Sequence, residues 1–436
     1  QGKLRCYRLN LMAVTMRQVT RCFASLSLLV IAVPPVQPSE LPVILGLPDW
    51  VDFSLDFTAE PMSGLSGGGK DPSSSSWFQQ TSLGITLGTG LRKDPQFWNE
   101  LDHWQVQVGF NQYEGNADLS EQLGSFFPLQ TLVSPQGFWI TKAALIKVAK
   151  QKTIDWTFQA GVISFGDSIM RVPALDNYIN YTINTPYNIA IVGFPVSPFS
   201  SLGGQIGIVH QHLGVFEYGY YQLDASQQMA ASLGVNPQIP KVNGDVQVVQ
   251  WSINPLSDQI NLKSDLIVER ESGANETIQR ELPKPLLQLG GYMGTTELKT
   301  NDAKQLGDGI NNGIYGSIIW PVELPIGIDN RVWLSGTIST TPENNPLQSY
   351  AAGGWLSQGI LPGRPLDVLA LGLSLNNFSP TITPNKDYEG AIELNYTVQI
   401  SDQVQFQPLM QWILNPSGTG SSSGIWATGA QLNVSL

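Results

Sequence analysis

The chain has 436 residues, of which 42% are hydrophobic and only 13% charged, with a net charge of −12. Soluble domains carry about 25% charged residues, so a dense charged surface is not what keeps this chain dispersed, and a mean hydropathy of −0.04 excludes a helical membrane protein. The excess of 35 acidic over 23 basic residues argues against a nucleic-acid phosphate backbone as partner.

Residues 1–39 read as a leader. Lys3, Arg5, Arg8, Arg17 and Arg21 precede the first acid, Glu40, and Arg21 is followed by the apolar run Cys22–Val33. A basic start and a short apolar run are the pattern of a secretory signal peptide, too short to span a bilayer as a helix. Met16 is read as the start, residues 1–15 as upstream extension, and cleavage is placed near Ser39. Both cysteines, Cys6 and Cys22, fall inside this leader, so no disulfide framework or cysteine metal site is expected in residues 40–436.

From Val51 onward alternation dominates. VDFSLDFTAE (Val51–Glu60) puts Val51, Phe53, Leu55, Phe57 and Ala59 on one face, and Asp52, Ser54, Asp56, Thr58 and Glu60 on the other. A period of two marks a strand with unlike faces. The pattern predicts about sixteen strands: 51–60, 77–90, 103–113, 137–150, 153–165, 203–211, 214–224, 244–254, 286–297, 311–322, 328–340, 349–361, 366–378, 389–401, 403–415 and 424–436. Long polar links follow the odd strands, among them 114–136 and 166–202. Short ones mostly follow the even strands, such as Gln151-Lys152, His212-Leu213 and Ser401-Asp402. The segment 255–285 departs from this rule and could hold an inserted hairpin.

The hairpin YTVQISDQVQFQPLMQW (Tyr396–Trp412) shows which face is the inside. The chain has too little apolar helix to cover the second face of so many strands. The economical fold is all-β: a closed transmembrane antiparallel barrel with apolar residues facing lipid and glutamines facing a watery lumen. Trp50, Tyr113, Tyr388 and Trp412 would suit interface girdles. A secreted β-rich adhesin or binding protein is the alternative outside this architecture.

GILPGRPLDVLALGLS (Gly359–Ser374) and YEGAIELNYTVQISDQVQFQPLMQWILNPSG (Tyr388–Gly418) resemble hallmarks of the carbohydrate-selective porins, the OprB-like family. WVDFSLDFTAEPMSG (Trp50–Gly64) is similar to that family's first strand, and GVISFGDSI with its following loop to its first long inward loop. The resemblance implies a sixteen-stranded outer-membrane barrel of a Gram-negative-type bacterium, passing small hydrophilic solutes, sugars above all; a homotrimer is in keeping with it. Some relatives pass inorganic ions instead. The final residue, Leu436, departs from the usual terminal aromatic.

No Walker loop or HExxH occurs. GLSGGGK (Gly64–Lys70) reads as a flexible loop, and HQH at 210–212 as a turn rather than a metal pair. No cofactor or metal is expected. A pore instead needs a narrowing lined by groups that replace a solute's water. Asp52, Asp56, Glu60, Arg331, Trp333 and Glu393 point inward by parity, and loop 166–202, the expected constriction, brings Arg171, Asp176 and Tyr178. These nine are the candidate solute contacts.

Overall fold

The structure, a computed structural model, describes residues 45–68, 72–88, 102–116, 119–133, 136–196, 199–223, 242–256, 282–298 and 309–436. The leader, its cysteines and most of the segment 255–285, with the inserted hairpin considered there, lie outside the described residues.

Sixteen strands form one closed sheet. They are β1 (Val51–Ser66), β2 (Ser75–Gly88), β3 (His103–Gly115), β4 (Gly137–Lys150), β5 (Ile154–Ile163), β6 (Ser201–His210), β7 (Gly214–Gln222), β8 (Val242–Ile253), β9 (Leu286–Leu298), β10 (Gly309–Pro321), β11 (Asp329–Ser339), β12 (Leu347–Gln358), β13 (Val368–Phe378), β14 (Tyr388–Gln399), β15 (Val404–Leu414) and β16 (Ile425–Ser435). Each pairs antiparallel with its sequence neighbour. β1 closes the ring on β16, with Asp56 opposite Ser435 and Ala59 opposite Leu432. The sixteen expected strands are all present, their ends displaced by a few residues. None of the described helices is long and apolar enough to cross a membrane.

The inside-out pattern is plain across β14 and β15. Glu393 lies opposite Gln411, and both are fully buried, whereas Leu394 and its partner Met410 are 48% and 45% exposed. Side chains of opposed residues share one face of the sheet, so the polar face looks inward and the apolar one outward. Outer positions repeat this around the wall, with Trp104, Leu145, Phe158, Val249, Met293, Ile314, Leu334 and Leu373 exposed. Closure pairs every strand edge, which a hydrocarbon surround requires. Trp412 and Trp426 stack in parallel on the outer face, centroids 5.3 Å apart, at the end where β15 leads into β16. Tyr113 is not in a girdle. It is buried against Phe78, Leu132 and Trp139, because its parity along β3 is that of the inner residues Gln105 and Gln107.

Two links fold into the ring. Link 116–136 carries helix α1 (Leu119–Leu123), and link 164–200 carries α2 (Tyr181–Asn184) and α3 (Tyr187–Ala190).

Candidate permeation site

The loop 164–200 is built to be swallowed. Ser164 caps a 3-10 turn over Phe165–Asp167, its hydroxyl accepting from the Gly166 N–H at 3.2 Å. Asn180 caps α2 by accepting from the Thr182 N–H at 3.1 Å. Val172, Ala174, Leu175, Tyr178 and Ile179 between these turns, and Ile183 within α2, are all buried, packed on wall residues including Trp333, Tyr350, Leu356, Ala370 and Leu409. Phe165, Ile169, Ile189 and Phe194 pack on a second wall sector that includes Tyr221, Val246 and Tyr292. Strand glycines make room. A Cβ on Gly372 would stand 2.5 Å from the Tyr178 ring, and one on Gly354 2.7 Å from the indole nitrogen of Trp333.

The inward polar face of the wall then takes up the loop backbone. Gln250 accepts from the Met170 N–H at 2.7 Å, and Gln288 donates to the Arg171 carbonyl at 3.2 Å. Asn395 and Gln407 both donate to the Asn177 carbonyl at 2.9 Å. Glu393 collects four donors: the N–H groups of Ile179 (3.0 Å) and Asn180 (2.6 Å), the Asn395 amide (2.6 Å) and the Gln411 amide (3.0 Å). Two further wall carboxylates hold link 116–136. Glu60 accepts from the Leu132 N–H at 3.0 Å, the Thr131 hydroxyl and the Gln431 amide. Glu389 accepts from the Ser125 hydroxyl at 2.6 Å and the N–H groups of Phe126 and Phe127. Glu60 and Glu393 are fully buried and Glu389 nearly so. Buried carboxylates are stable only when hydrogen bonds replace their water, and here loop N–H groups, which need partners just as much, do so.

The lumen is therefore lopsided. Around Glu389, Glu393, Asn395, Gln407 and Gln411 of β14 and β15 the polar face meets loops rather than open water. On the side of β3 to β7 a cavity of about 500 Å³ remains between wall and loop. Its wall is set with Gln107, Lys142, Thr157, Gln159, Gln205 and Glu217; its loop side carries Arg171, Asp176, Asn184 and Thr185. Arg171 and Asp176 form an ion pair at 2.9 Å. The charged residues lining the cavity are two basic and two acidic. A second, smaller space of about 380 Å³ lies over β1, β2, β15 and β16, with Asp56, Thr58, Gln80, Gln405 and Asn433.

The nine sequence candidates separate accordingly. Arg171 and Asp176 line the cavity. Asp56 borders the second space, and Asp52 near the start of β1 accepts from the Phe53 N–H at 3.0 Å. Arg331 is engaged by Asp329 and by the Pro283 carbonyl at 2.9 Å. Glu60 and Glu393 hold loops. Tyr178 and Trp333 come together, but buried against each other. Burial pushes the Tyr178 hydroxyl well above the usual phenol range, the Trp333 hydrogen bond opposing it only in part, so it stays a neutral donor. Sequence reasoning missed Gln107, Lys142, Thr157, Gln159, Gln205 and Glu217. Parity along β3 to β7 marks the inner face; nothing in the sequence marks it as the side the loop leaves free.

Residues 324–436 match the sequence model of the family described as carbohydrate-selective porin, OprB family. The resemblance to that family is thereby borne out. The matched segment takes in the whole of β11 to β16, and with them the hallmark stretches at Gly359–Ser374 and Tyr388–Gly418. A high-pH structure of OprB from Pseudomonas putida superposes with a TM-score of 0.69 at 15% identity, covering 89% of this chain and 94% of that one. A low-pH structure of the same protein gives 0.48 at 13% identity, over 89% and 93%. An engineered porin of Rh. blastica gives 0.42 at 10%, over 88% and 100%. At such identity the first of these speaks for the fold, a closed porin barrel. No curated protein matches the chain in sequence.

Proposed function

We propose that this chain is an outer-membrane porin that lets small neutral hydrophilic solutes, sugars above all, diffuse down their gradients. The cavity beside β3 to β7 is the passage. The observation that carries this reading is its lining. Glutamine amides from three strands, the Thr157 hydroxyl and an already paired Arg171–Asp176 face one space of about 500 Å³, within the range of small-molecule sites. Amides donate and accept at once, as sugar hydroxyls do, so a sugar can exchange its water for wall contacts in either orientation. Two positive and two negative groups leave the lining without net charge, which disfavours the ion-porin alternative, since the lining then concentrates neither ion sign. The barrel is a channel, and no chemistry is asked of it.

On the same reading residues 1–39 are a cleaved leader into the secretory route, the apolar outer wall faces lipid, and further copies of the chain complete a trimer. Single-channel recording of protein extracted from membranes tests the proposal. Stable steps that fall as glucose or maltose is added support it. Steps indifferent to sugar but with a reversal potential in a salt gradient would favour the ion porin. Absence of steps, with soluble protein, would favour a secreted binding protein.

A further inference from the structure

The strongest unassigned feature of the lumen is the knot around Glu393 and Gln411. Glu393 holds the N–H groups of Ile179 and Asn180, midway between two stretches that line the cavity, Arg171–Asp176 and Asn184–Pro186. Gln411, its cross-strand partner, does three things at once. Its amide donates to Glu393 at 3.0 Å and to the Leu129 carbonyl of link 116–136 at 3.0 Å, while its oxygen accepts from Asn180 of loop 164–200 at 3.1 Å. Both inward loops thus meet on one side-chain pair.

We infer that Glu393 is the positioning residue that sets the aperture of the passage, and that Gln411 joins the two inward loops to it so that they move as one body. Solute never touches Glu393, which is fully buried; it acts through the loop it holds. The four groups around its carboxylate are all donors, so only an acceptor on both oxygens satisfies them. Glu393→Gln keeps the shape but turns one acceptor into an NH₂ facing donors. The loop segment 177–184 then loses its central tether while its apolar contacts remain. This inference rests on the cavity being the passage.

The test is single-channel recording of Glu393→Gln beside the wild type, with a built-in repair. The hydroxyls of Thr182 on the loop and Ser374 on β13 are 2.7 Å apart, close enough for a disulfide to replace them. The expected result is noisier steps and weaker sugar block, by about tenfold, the loss of affinity that goes with one hydrogen bond to the solute. In Glu393→Gln carrying Thr182→Cys and Ser374→Cys, oxidation restores quiet steps and block, and a reductant abolishes the repair. A loss of stability elsewhere in the barrel would not be reversed by oxidation of this one pair. Wild-type noise and block in Glu393→Gln, in a conducting protein, would overturn the inference and leave the passage standing. A wild type without steps would overturn both.

Discussion

Trp333 of β11 donates its indole N–H to the hydroxyl of Tyr178 at 3.0 Å, and the two rings lie 5.4 Å apart at 55°. The Tyr178 hydroxyl in turn donates to the Leu371 carbonyl at 3.0 Å. Two aromatic residues that stand in sequence among the candidate solute contacts are instead the bolt by which the loop is set into the wall. Both are almost wholly buried, 1% and 2% exposed, so no solute reaches either face.

The seat of that bolt is a glycine, which gives a direct test. A Cβ on Gly372 would meet the Tyr178 ring at 2.5 Å and Ile183 at 3.0 Å, whereas one on Gly336 of β11 meets only a carbonyl at 3.5 Å. Gly372→Ala should therefore lower stability in urea unfolding by about 1–3 kcal/mol, the usual cost of overpacking. Gly336→Ala should leave it nearly unchanged. Equal effects would mean that the loop is not seated on Gly372.

Charge balance in the passage makes selectivity adjustable by one residue. Asp176→Asn leaves Arg171 without its partner and the lining with one net positive charge. The reversal potential in a potassium chloride gradient should move toward chloride. The permeability ratio should change by roughly two- to fivefold, because a screened charge of this kind is worth about 0.5–1 kcal/mol. An unchanged reversal potential would place the passage away from Asp176.

Glu389 ties Ser125, Phe126 and Phe127 of link 116–136, and it also accepts from the Ser417 N–H in the link between β15 and β16. Hydrogen bonds to a charged acceptor are each worth about 1.5–3 kcal/mol. Glu389→Gln should raise the rate of chymotrypsin cleavage after Phe126 by tenfold or more, with the barrel intact; the bond after Phe127 is protected by Pro128. Cleavage at the wild-type rate would mean that the apolar contacts of Phe127 with Leu347 and Phe378 hold the link alone.

The barrel was legible because its signal is local. Alternation in stretches such as Ala391–Ile400 fixes each strand and its faces, and consecutive antiparallel pairing needs no further information. The choice of the inner face as polar followed from the want of anything to cover a second apolar one. The site was less legible because it depends on where a loop comes to rest. Glu393 and Gln107 look alike in sequence, each a polar residue on an inner face. Glu393 is consumed by backbone N–H groups, while Gln107 borders the free space, and that difference is made by apolar packing of Ile179 and Ile183 over more than two hundred residues of sequence separation. The glycines that receive the loop, Gly354 and Gly372, carry no side chain that could announce it.

The hallmark Gly359–Ser374 has its own physical reason, and it predicts a pH dependence. In the turn between β12 and β13 Arg364 donates to both oxygens of Asp367 at 2.8 Å, and to the Gln399 carbonyl at 3.0 Å. Asp367 also accepts from the Tyr396 hydroxyl at 2.9 Å and the Gln399 N–H at 3.0 Å. One turn is thus stapled to the next strand. Burial alone would raise the Asp367 pKa. The bonds from Arg364, Gln399 and Tyr396 outweigh it and hold the carboxyl below its ordinary value of 3.8. A group whose pKa is depressed by folding stabilises the fold above its unfolded pKa, and that contribution is lost as pH falls through the folded value. Wild type should therefore exceed Asp367→Asn in urea unfolding at pH 7. The gap should hold down to about pH 4, the unfolded value, and narrow only at more acid pH. A gap that closes between pH 7 and 5 would mean that some other group carries the dependence, and no gap at pH 7 would mean that the staple is an ornament of the turn.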